Sequence, residues 1–76
     1  MLKLEDSDIQ FIKANMSEEI QEKIFSAETR RQLLHEFYVW IDMCEECWEA
    51  NGEDYSDLGR AAQRVYDNIY LNAEEY

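Results

Sequence analysis

The sequence predicts an all-α fold, a small antiparallel bundle of three or four helices. Three observations predict it. Proline is absent and only two glycines occur, Gly52 and Gly59, so little interrupts helix formation over 76 residues. Apolar side chains recur at helical spacing along most of the chain, as in helices that bury one face. Cap signals separate these runs at Ser17, Ser26, Asn51-Gly52 and Ser56. With 46% apolar residues, the chain has enough material for one core, and it reads as a single domain over residues 1–76.

The first helical stretch is expected over about residues 8–25. Ser7-Asp8-Ile9-Gln10 has the form of a capping box, and Ile9, Ile12 and Met16 follow on one face. Ser17, followed by Glu18 and Glu19, is a second start signal, so this stretch is either one bent helix or two short ones. Ile20 and Ile24 continue its apolar face. Ser26 then reads as the N-cap of a long helix over about 27–50, with Glu28 near its positive end. Leu34, Phe37, Ile41, Cys44 and Trp48 form its core stripe, and Leu33, Trp40 and Cys47 form a parallel row. Asn51-Gly52 is expected to end it, because both residues tolerate the left-handed conformation of a C-cap. The last helix, over about 57–72, is capped by Ser56 and buries Leu58, Ala62, Val65 and Ile69. A short connection between the two long helices makes them antiparallel neighbours.

Charge narrows the function classes. Eighteen acids against seven bases give a net charge of −11, which repels nucleic acid and anionic membranes and suits a basic protein partner. The longest apolar run, Phe37–Ile41, is five residues, against about 20 for a membrane span. The start of the chain turns acidic before any apolar run, unlike a secretory signal. Two cysteines three positions apart make no disulfide scaffold, so a reduced, cytoplasmic location is expected.

Catalytic and metal templates are incomplete. Cys44-Glu45-Glu46-Cys47 supplies two thiols, and the lone His35 lies nine positions earlier, so one chain cannot assemble four cysteine or histidine ligands. Zinc shared between two chains and a redox dithiol are the alternatives for this pair. Two glutamates and a helix C-terminus would both disfavour the thiolate that redox chemistry needs. Gln32-Leu33-Leu34-His35 lacks the glutamate of a carboxylate di-iron helix, and His35-Glu36 lacks a second histidine. No glycine-rich phosphate loop or calcium loop is present. The expectation is a non-enzymatic protein without a cofactor or metal.

What remains is the segment between Arg31 and Arg60, with eight acids and no lysine or arginine: Glu36, Asp42, Glu45, Glu46, Glu49, Glu53, Asp54 and Asp57. On one long helix Asp42, Glu45, Glu46 and Glu49 would form a ridge of four like-charged neighbour pairs, costing roughly 1–2 kcal/mol. Its steps of about 5–6 Å come close to the phosphate spacing of one nucleic-acid strand. Tyr38, four residues before Asp42, extends that ridge, and Tyr55 adds a second aromatic anchor beside Glu53 and Asp54. The chain resembles, in size and charge only, the small acidic proteins of phages and mobile elements that inhibit restriction or CRISPR nucleases. The expected binding set is therefore Tyr38, Asp42, Glu45, Glu46, Glu49, Glu53, Asp54 and Tyr55. Its expected partner is a basic, nucleic-acid-binding protein. The competing reading is a structural module that forms a homodimer through Leu33, Trp40 and Cys47.

Overall fold

The computed structural model describes residues 2–75. Four α-helices form the body: α1 (Asp6–Asn15), α2 (Glu18–Phe25), α3 (Arg30–Met43) and α4 (Asp57–Asn72). Two extended pieces, β1 (Leu2–Lys3) and β2 (Glu74–Glu75), pair antiparallel and tie the ends together. That pairing is two residues long, so the fold is the expected all-α bundle. None of the helices among the described residues is long and apolar enough to cross a membrane.

Local chemistry explains each boundary. The stretch expected over 8–25 is two helices, because Met16 adopts an extended conformation (φ −111°, ψ 148°) and Ser17 restarts the chain as an N-cap. The Ser17 hydroxyl accepts from the Ile20 amide at 3.4 Å, and the Gln21 side chain donates to the Met16 carbonyl at 2.8 Å. Helix α1 begins at Asp6, with Glu5 and not Ser7 as its N-cap. Asp6 and Asp8 in its first turn suit the positive helix end without a hydroxyl cap. Ser26 closes α2 as its C-cap and does not open α3. Thr29 does that, accepting from the Gln32 amide at 3.1 Å while the Gln32 side chain accepts from the Glu28 amide at 3.2 Å. This is a close variant of a capping box.

The long helix expected to reach Ala50 stops at Met43, and Cys44 turns extended (φ −85°, ψ 102°). Continuing it would retain the four like-charge pairs and place Glu45, Glu46 and Glu49 near a negative helix end, each at a further cost of about 0.3–1 kcal/mol. The chain instead forms a single 3-10 turn, Glu45–Cys47, which breaks the helical register that would align Asp42, Glu45, Glu46 and Glu49. The Ile41 carbonyl accepts from the Cys44 amide at 3.2 Å and also from the Trp48 indole N–H at 3.1 Å, which ties Trp48 to the end of α3.

Three contacts fix the direction of the two longest helices. The Arg30 guanidinium lies 5.8 Å from the Tyr70 ring centre, Phe37 meets Tyr66 at 6.2 Å, and Cys47 abuts Gly59. The start of α3 therefore meets the end of α4, and the two run antiparallel. Helix α2 packs on α3, and α1 packs on α4. The core is one cluster, with Ile12, Ile24, Leu33, Phe37, Ala62 and Ile69 at its centre. Fully burying a side chain such as Ile, Leu or Phe contributes about 1.5–3 kcal/mol. Phe37 is the hub, with Phe11 at 6.3 Å, Trp40 at 5.9 Å and Tyr66 at 6.2 Å between ring centres. Leu33 and Cys47 are fully buried and Trp40 is half-buried, so that row is largely consumed within the chain.

Candidate functional site

The acidic segment builds a lobe between α3 and α4. After the 3-10 turn, residues 48–55 form a small hairpin in which Trp48 bridges Tyr55. The Glu49 amide donates to the Asp54 carbonyl at 2.7 Å, and the Ser56 amide donates to the Cys47 carbonyl at 2.9 Å. Asn51-Gly52 is the tip of this hairpin and not a helix cap. Gly52 has φ +73°, a left-handed conformation that glycine adopts without strain. The Asn51 side-chain oxygen accepts from the amides of Glu53 at 2.9 Å and Asp54 at 3.3 Å.

Contacts to α4 hold the lobe in place. Ser56 caps α4 by accepting from the Gly59 amide at 3.2 Å, and its hydroxyl donates to the Glu46 carbonyl. Gly59 lies so close to the Cys47 carbonyl that an added Cβ would sit 1.9 Å from that oxygen. The Tyr55 ring lies on Trp48 with centres 4.7 Å apart, and its hydroxyl donates to Gln63 at 3.2 Å. Arg60 donates to the Tyr55 carbonyl at 2.9 Å and also pairs with Asp57.

On this frame Asp42, Glu45, Glu46, Glu49, Glu53 and Asp54 are all exposed. They do not form the straight helical ridge expected, because only Asp42 lies on α3. Asp42, Glu45 and Glu49 nevertheless gather with Met43, Trp48 and Gly52 around a shallow hollow of about 420 Å³. Glu45 and Glu46 also edge a groove of about 600 Å³ that includes Val39, Trp40 and Met43. Glu53 follows the hairpin tip, and Asp54 shares a hollow with Glu49, Tyr55 and Arg60. Tyr55 is half-buried against Trp48 and is no projecting anchor. Tyr38 is 59% exposed and one turn before Asp42, but it also lines a different groove.

Two features escaped the sequence reading. Met43 is 76% exposed and belongs to both the hollow and the groove, so an apolar centre sits among the acids. It follows the stripe residue Ile41 by two positions, about 200° round the helix and so on the face opposite the buried stripe, which is a legible signal of exposure. The second is the groove of about 470 Å³ where Tyr38 joins Arg31, His35, Tyr66 and Tyr70. Those residues come from two helices, and only the packing of α3 on α4 unites them.

Among the described residues no three or more His, Cys, Asp or Glu side chains group so that they could hold a metal ion. Burial pushes the Cys47 thiol up to about 12, and the neighbouring Cys44 and Glu46 add to the rise. The Cys47 thiol donates to the Cys44 sulfur, with the sulfurs 2.6 Å apart. Comparison with family models, curated proteins and solved structures finds no match for the chain.

Proposed function

We propose that this protein is a non-enzymatic interaction module whose acidic lobe binds a basic surface of a nucleic-acid-binding protein and thereby inhibits or regulates it. The observation that carries this reading is the arrangement around Met43. An exposed apolar side chain lies among Asp42, Glu45 and Glu49, and half-buried Trp48 lines the same hollow. Interfaces commonly combine such an apolar centre with a polar rim. Apart from Asp42 at the end of α3, the carboxylates lie on a 3-10 turn and a hairpin, so they imitate phosphates through their collective field and not through a regular helical spacing. The lobe is held by its own hydrogen bonds, which lowers the ordering cost of association. Direct nucleic-acid binding is disfavoured by the same charge.

The test is capture of partners from source-cell lysate, with wild type compared against Glu45/Glu46/Glu49→Gln at matched helicity. A basic nucleic-acid enzyme retained by wild type alone and released by moderate salt supports the reading. Identical catches by the two proteins would overturn it.

A further inference from the structure

Where α3 ends also decides how the two cysteines face each other. In an α-helix, residues three apart diverge by about 60° around the axis, since a turn takes about 3.6 residues. In a 3-10 turn they eclipse, since a turn takes about 3.0 residues. Cys44 and Cys47 bracket such a turn, closed by the Cys47 amide donating to the Cys44 carbonyl at 3.0 Å. Three residues at a rise of about 2.0 Å separate their Cα atoms by roughly 6 Å, within the range a disulfide spans. The two sulfurs are in contact. Cys44 is half-exposed and lines the groove beside Met43 and Glu45, so a small molecule can reach it. Cys47 is buried behind it, its carbonyl seated against Gly59.

We propose that Cys44 and Cys47 form an intrachain disulfide by exchange with a small-molecule disulfide, stapling the end of α3 to the acidic lobe. The Cys44 thiolate attacks one sulfur of the small disulfide, whose S–S bond breaks and releases a thiolate. The Cys47 thiolate then attacks the Cys44 sulfur of the mixed disulfide and releases the second thiolate. The protein pair loses two electrons and two protons, and the small disulfide is reduced to two thiols. Burial, which keeps the Cys47 thiol protonated, makes the second step the slow one and Cys44 the point of entry.

The bond is independent of what the lobe binds, and its test uses the full chain alone. The folded protein is equilibrated in glutathione buffers from fully reduced to fully oxidised, quenched in acid, alkylated and weighed. Monomer lighter by about 2 Da, with both alkylation sites lost together and a non-reducing peptide joining Cys44 to Cys47, is the expected result. Cys47→Ser should stop at a glutathione adduct on Cys44. Wild type that keeps two alkylatable thiols, stops at the adduct or cross-links between molecules would overturn the proposal. A denatured sample run in parallel shows that the buffers are oxidising enough.

Discussion

Gly59 and Gly52 are the chain's two glycines, and they are required for opposite reasons. At Gly59 the backbone is ordinary helix but the space is taken, by the Cys47 carbonyl and the Tyr55 ring. Gly59→Ala must push the lobe off α4 and is expected to cost at least about 2 kcal/mol in urea unfolding. At Gly52 nothing lies within 4 Å of an added Cβ, so Gly52→Ala pays only for its positive φ, about 1 kcal/mol. Equal losses from the two variants would contradict this distinction. Asp8 is a third critical residue, buried on α1 and accepting from Asn68 of α4 at 2.8 Å. Burial raises its pKa; the Asn68 hydrogen bond opposes the rise and the Glu5 charge adds to it. The folded chain thus holds this proton more tightly than the unfolded one. Stability from this group is greatest when it is protonated and falls as pH climbs from the ordinary carboxylate pKa through the raised folded value. Asp8→Asn keeps an acceptor for Asn68 without the charge. It is expected to melt above wild type at pH 7, with the gain vanishing below about pH 3.5; thermal melts across that range check it.

At the scale of elements, most of the bundle was legible because its signals were local. Helix α4 runs over the predicted 57–72 with Ser56 as its cap, and Ser17 restarts the chain as its sequence indicated. Helix α3 was legible on its buried face, since Leu33, Leu34, Phe37 and Ile41 are all core. Its end was not. The apolar spacing persists through Cys44 and Trp48, so periodicity alone carried the helix across a point where charge and the dipole oppose it. Asn51-Gly52 has two meanings, helix cap and hairpin tip, and only the Trp48–Tyr55 pairing chooses between them. Thr29-x-x-Gln32 was present as a capping signal, but Ser26 with Glu28 competed with it. The acidic character of the candidate site was readable, whereas its grouping around Met43 depended on that unforeseen break. Asp42 still sits in the last turn of α3, against the dipole. Asp42→Lys is therefore expected to raise stability by about 0.3–1 kcal/mol at low salt, measured by urea unfolding. No gain would remove electrostatics from the explanation of where α3 stops.

The whole molecule measures 41 × 24 × 19 Å and is electrically lopsided. Arg30, Arg31 and His35 lie on the first turns of α3, and the acidic lobe follows its last. At a net charge of −11, self-repulsion opposes the compact state, and the lobe concentrates it. Salt should therefore act in opposite directions on folding and on binding. Raising NaCl from about 10 to about 200 mM is expected to increase the melting temperature while weakening association with a basic partner. A melting temperature that falls over this range would contradict the repulsion argument. The most direct measurement is a competition on the captured enzyme, between its own nucleic acid and this protein. Mutually exclusive binding is predicted, with nucleic acid displaced by wild type and poorly displaced by Glu45/Glu46/Glu49→Gln. A ternary complex that leaves nucleic-acid affinity unchanged would contradict the claim that the lobe takes the place of phosphates.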